Sequence, residues 1–151
     1  MTTQTNRSTN QVNTTKTPSI SRILWVAPLA MLASTVANLG LYAAADNLYP
    51  NVTAWAGASQ AQIIGANIVY LLIGAVIFWL VSRRTLRPAR NYWIVATIGL
   101  LISLVMPITA GLGYGPPNVP PAELATVITL SLMHVLSYAI SVPLFIRLGL
   151  D

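Results

Sequence analysis

The sequence predicts an all-α membrane protein, a four-transmembrane-helix up-down bundle with both termini cytoplasmic and a disordered N-terminal tail. Three observations predict it. Only 7% of the 151 residues are charged and 55% are hydrophobic, against about 25% charged in a soluble domain, so lipid is the solvent for most of the chain. Four stretches, residues 23–45, 62–82, 93–113 and 124–146, carry no Asp, Glu, Lys or Arg; each is near the roughly 20 residues that cross a hydrocarbon core. The eight Lys and Arg all lie before the first stretch, between the second and third, or after the fourth, which is the alternation the positive-inside rule gives.

Residues 1–22 are rich in Thr, Asn, Gln and Ser and nearly free of apolar side chains, a composition that buries too little surface to fold. The first span follows. Its Ala43-Ala44-Ala45 end resembles a signal-peptide cleavage site, but the apolar stretch exceeds the usual 7–15 residues, so the span is expected to stay uncleaved. Each span is expected to be helical, because an unpaired strand in lipid leaves its backbone N–H and C=O groups unsatisfied.

The connections at 46–61 and 114–123 hold no Lys or Arg, whereas Arg83, Arg84, Arg87 and Arg90 fill the middle one. The N-terminus, the 83–90 segment and the C-terminal residues 148–151 are therefore read as cytoplasmic, with Asp46 and Glu123 outside. Trp25, Trp79 and Trp93 lie within four residues of an arginine, and Tyr49, Trp55 and Tyr114 lie in or beside the other two connections, as expected of aromatic belts at two interfaces. Asn51-Val52-Thr53 fits a glycosylation sequon in the outer connection.

Chemistry has to be sought among the uncharged polar residues inside the spans, where burial without partners is unfavourable. His134 lies near the middle of the fourth span, on a helix with Ser131, Tyr138 and Ser141. A neutral imidazole there can relay a proton or hydrogen-bond a ligand; the plainer reading is a hydrogen bond to a neighbouring helix. Asn38 and Asn67 fall at similar depth in the first and second spans, each with a Tyr one helical turn on (Tyr42, Tyr70). One reading has the two amides bridge antiparallel helices and fix their register. The other joins Asn38, Asn67, Tyr70, His134 and Tyr138 into a polar ligand pocket open to the outside.

Ala30, Ser34 and Asn38, Ala33 and Ala37, Gly99 and Ser103, and Ser137 and Ser141 set small residues four apart, the spacing of close helix contact in lipid. Pro107, followed by the Gly111, Gly113, Gly115 run and Pro116-Pro117, is expected to end the third helix in a rigid outer turn. Glu123 is expected to open the fourth helix and complement its dipole. The cluster Arg83, Arg84, Arg87 and Arg90 is a candidate contact for anionic lipid, although topology alone accounts for it. "RILWVA" from Arg22 and "RNYWIVA" from Arg90 share an Arg and a Trp at an offset of 68, a short hint of two tandem hairpins.

With "SRILWVAPLA" entering the first span, "AN" within it and "MHVLSYAISVPLF" in the fourth, the chain resembles a family of uncharacterised four-helix bacterial integral membrane proteins. The resemblance runs over nearly the whole chain from Ser21; it implies the fold and no chemistry. Better-known four-span proteins fit poorly: no span has the carboxylate of small multidrug transporters, the Cys pair of claudin-like proteins is missing, and one histidine is too few for bis-histidine haem.

Without cysteine, and with one histidine, no metal, cofactor or catalytic residue is expected. The basic residues lie in short clusters between apolar runs, which excludes nucleic acid as a partner. The expected partners are the lipid bilayer and either a second copy or another membrane protein. Three functions follow in order of expectation: a non-catalytic accessory or structural subunit of the cell membrane, a protein that binds or transports a small apolar or amphipathic molecule in the outer-leaflet pocket, and a membrane enzyme.

Overall fold

In the computed structural model the described residues are 19–114 and 118–150, and they form six helices: α1 (Ile20–Leu48), α2 (Asn51–Ala54), α3 (Gln60–Arg84), α4 (Pro88–Ser103), α5 (Val105–Gly111) and α6 (Leu124–Gly149). No strand occurs among the described residues. α1, α3, the α4–α5 pair and α6 are the four stretches long and apolar enough to cross a membrane, so the four-helix membrane bundle read from composition is the fold. Of the tail expected over residues 1–22, the first 18 lie outside the described residues, and residues 20–22 already belong to α1.

The helices overrun the predicted spans at the polar ends, where no apolar signal marks them. Ser59 and Gln62 form a capping box: the Gln62 N–H donates to Ser59 Oγ at 3.4 Å and the Ser59 N–H donates to Gln62 Oε1 at 2.8 Å. Pro88 begins α4, at a position where its missing N–H would have had no helical partner. Only residues 85–87 remain between α3 and α4, so Arg83, Arg84 and Arg90 are helical residues rather than loop residues. Likewise α6 continues to Gly149, into the segment expected as a C-terminal tail.

The third span is where expectation and structure part. The helix does not end at Pro107; it breaks three residues earlier, at Leu104, and resumes as α5 with Pro107 in its first turn. A proline cannot donate to the carbonyl four residues back and its ring crowds that carbonyl, here that of Ser103. Placing Pro107 within the first turn of a new helix removes the conflict, because those N–H groups lack helical partners anyway. Pro28 and Pro143, both exposed, are carried inside unbroken α1 and α6.

Packing is uneven along the bundle axis. At the arginine-rich end Ile23, Val26, Ala27, Ala30, Ala75, Phe78, Tyr92, Val142 and Phe145 form one buried cluster. Its three rings pack with centroids 4.9 to 6.0 Å apart, in the range of favourable aromatic pairs. Among the described residues the opposite half has a buried apolar cluster of only Tyr42, Ile63 and Met133. α1 packs chiefly on α6 and next on α3, presenting the small stripe Ala30, Ser34 and Asn38, all buried. Gly99, by contrast, is exposed, and a Cβ there would meet nothing; this small-residue spacing is not used inside the bundle.

Candidate binding site

The thinly packed half is hollow. α4 packs on both α3 and α6, whereas α5 packs on α6 and keeps its backbone apart from that of α3. Gly111 permits that approach, since a Cβ there would lie 2.7 Å from Val127 Cγ2. Between α3 and α5 this leaves a cavity of about 540 Å³, within the roughly 300–1,000 Å³ that suits a drug-sized molecule. The lining is mostly apolar: Ile63, Ala66 and Leu71 from α3, Met106 and Ala110 from α5, and Leu130 and Met133 from α6 are among its residues.

At its back lies a polar knot. Asn38 Nδ2 donates to Asn67 Oδ1 at 3.2 Å and to Ser137 Oγ at 2.8 Å; Ser137 Oγ donates to Asn67 Oδ1 at 3.1 Å; Asn67 Nδ2 donates to the Ile63 carbonyl at 3.1 Å. The predicted amide bridge between the first two spans is thus present, and the fourth span joins it. Ser137 was read from sequence only as a packing residue, although three positions after His134 puts it on the same helical face. Asn38 Oδ1 is buried without a hydrogen-bond partner.

The front wall carries Tyr70 and His134, their rings edge to face with centroids 6.4 Å apart. Tyr70 Oη reaches across the cleft to Met106 Sδ at 3.9 Å, a weak acceptor. His134 makes no hydrogen bond to any described residue and is only partly buried. Four of the five pocket candidates, Asn38, Asn67, Tyr70 and His134, therefore line one cavity. Tyr138 does not: its hydroxyl pairs with Thr97 Oγ1 on α4 at 2.7 Å and its ring packs on the inner cluster. One turn beyond His134, the same helix face has already reached the part of the bundle where α4 closes on α6.

A lid covers the mouth at the end away from the arginines. Trp55, Gly57 and Ala58 of the α1–α3 connection and Tyr114 line the cavity there. Trp55 Nε1 donates to the Pro120 carbonyl at 2.8 Å, which ties the α1–α3 and α5–α6 connections together. Beside it the Thr53 hydroxyl donates to Asp46, and Asn51 Nδ2 lies 3.4 Å from a Glu123 carboxylate oxygen. Glu123 is the residue before α6, as expected, but its side chain makes no cap hydrogen bond and is instead turned to Asn51, the sequon asparagine. Sequence reading placed Trp55 only as an interfacial anchor; its role in the lid depends on a contact 65 residues away.

The second set of candidates forms a patch at the other end. Arg83, Arg84, Arg87 and Arg90 are joined there by Arg22 and Arg147, near the ends of α1 and α6, and the Arg83 guanidinium lies 4.8 Å over the Trp79 ring. The two Arg-Trp segments of the suggested repeat both open helices at this end.

Four apolar helices, a basic end, an acidic end and a lidded cavity between the last three spans define a multi-pass membrane protein with a hollow half. Within that class the chain belongs to a family of unknown function, DUF6069, whose match covers residues 18–149. No curated protein and no solved structure matches the chain.

Proposed function

We propose that this protein is a non-catalytic binding protein of the cell membrane that takes a small apolar or amphipathic molecule from the outer leaflet into the cleft between α3 and α5. One observation supports this above the accessory-subunit reading: two neighbouring transmembrane helices diverge around about 540 Å³ instead of closing on each other as the rest of the bundle does. A concave, mostly apolar cleft of this size with a few converging polar groups is the form that small-molecule sites take, and its walls offer an occupant the dispersion contacts that they do not make with each other. The experiment is purification in native lipid patches followed by mass spectrometry. A co-purifying small molecule lost from an Ala66→Trp variant, which fills the cavity, supports the proposal; identical profiles for both proteins refute it.

We further propose that the arginine end lies in the cytoplasm. Arg83, Arg84 and Arg147 stand in the last turns of α3 and α6, where the helix dipole favours cations, but Arg22, Arg87 and Arg90 sit at helix N-termini, where it disfavours them; the dipole therefore accounts for only half of the cluster, and the positive-inside rule supports the assignment for all of it. The accessory reading keeps one specific support: the third span is the least enclosed of the four, which leaves its face to lipid or to a partner helix.

A further inference from the structure

We infer that the cleft selects a neutral amphipath, one with an uncharged head bearing a carbonyl or hydroxyl oxygen on an apolar body, and that the head meets Tyr70 and His134. This rests on the reading of the cleft as a binding site. No Asp, Glu, Lys or Arg among the described residues lines the cavity, and in low dielectric an ionised head without a counter-charge is expelled. A purely apolar guest is disfavoured as well, because it leaves the polar atoms of the lining unmet. Those atoms are placed together: the His134 imidazole has no described partner, and the Tyr70 hydroxyl 36 residues from Met106 in sequence has only its thioether, at 3.9 Å. A neutral imidazole offers one donor and one acceptor, and a phenol offers both from one atom, which suits an oxygen that accepts from one and a hydroxyl that bonds both.

Entry is sideways. The backbones of α5 and α3 stay apart and only side chains bridge the gap at Tyr70, 49% exposed, and Met106, 62% exposed, so the Tyr70–Met106 contact is the threshold between the cavity and the surrounding lipid. The roof formed by Trp55 is held shut by its bond to Pro120.

Trp55 lines the cavity and reports on it. The full chain carrying Trp25→Phe, Trp79→Phe and Trp93→Phe, in phosphatidylcholine nanodiscs, is titrated with three brominated probes of equal chain length: a monoacylglycerol, an alkane and a fatty acid at pH 9. The expected result is saturable quenching of Trp55 by the monoacylglycerol, at least tenfold tighter than by either other probe. Tyr70→Phe and His134→Leu are each expected to weaken the monoacylglycerol by about three- to tenfold, the range for one hydrogen bond, and to leave the alkane unchanged. Saturable binding with equal affinity for all three probes, or tightest for the carboxylate, overturns the neutral-head inference and leaves the binding site standing. Linear, unsaturable quenching by all three, as for bromine in bulk lipid, overturns the binding site itself. Because the probe series is run on a protein that retains Tyr70 and His134, the outcome does not depend on either variant folding.

Discussion

Asn38 is the residue at which sequence and structure meet most closely. It is buried among three helices and its amide donates twice, to Asn67 and Ser137. In lipid such bonds average only about 0.6 kcal/mol and reach about 1.7, so their value lies in fixing register as much as in stability. A double-mutant cycle of Asn38→Ala and Ser137→Ala, followed by thermal unfolding in detergent, should give a coupling of about 0.6 kcal/mol and no more than about 1.7; zero coupling would mean that the knot does not hold the helices together. Gly57 is a second residue whose identity matters. A Cβ at this position would overlap the Trp55 indole, so Gly57→Ala has to expel the ring and break its bond to the Pro120 carbonyl. The expected cost is about 1–3 kcal/mol, as for other overpacked sites, with a red shift of Trp55 emission in the single-tryptophan background. An unchanged spectrum would show that the roof is not built as described.

At the scale of elements, the third span decides the shape of the site. Pro107 stands in the first turn of α5, just after the break at Leu104, and beyond that break the span packs on α6 with its backbone apart from α3, where the cleft lies. Pro107→Ala should restore a helical hydrogen bond to the Ser103 carbonyl, straighten the span against α3 and narrow the cleft. The measurable result is a loss of saturable Trp55 quenching by the monoacylglycerol probe of at least tenfold. Retained quenching would mean that the kink is not what opens the site. The four apolar helices were legible in sequence because lipid imposes a length and an absence of charge that no other context requires. The Asn38–Asn67 pairing was legible too, since amides at matching depth in adjacent antiparallel spans have few other partners. The helix ends at Ser59 and Pro88 carried signals, a capping box and an N-terminal proline, that hydropathy alone overlooks. The direction of the kink, the withdrawal of Tyr138 to Thr97 and the lid of Trp55 over the cavity were not legible. Each depends on which helix lies beside which, and spans apolar nearly all round carry no stripe that says so.

For the whole molecule the two halves have different work. The arginine end holds the aromatic core of Phe78, Tyr92 and Phe145, while the acidic end trades core for a cavity under a roof of hydrogen-bonded loops. Orientation decides which leaflet that cavity samples, and the chain is well suited to a direct test because it has no cysteine. Leu48 at the end of α1 is 73% exposed and Leu86 between α3 and α4 is 87% exposed, so a thiol at either position reaches solvent without disturbing a packed side chain. With Arg22, Arg83, Arg84, Arg87, Arg90 and Arg147 gathered at the Leu86 end, translocating that end would carry six positive charges across the bilayer, against the bias that sets topology in short connections. A membrane-impermeant maleimide added to intact cells should therefore label Leu48→Cys and leave Leu86→Cys untouched until the membrane is permeabilised. The reverse pattern would turn the cavity to the cytoplasmic leaflet, and labelling of both in intact cells would show that the chain adopts both orientations, in which case the arginines do not fix its topology.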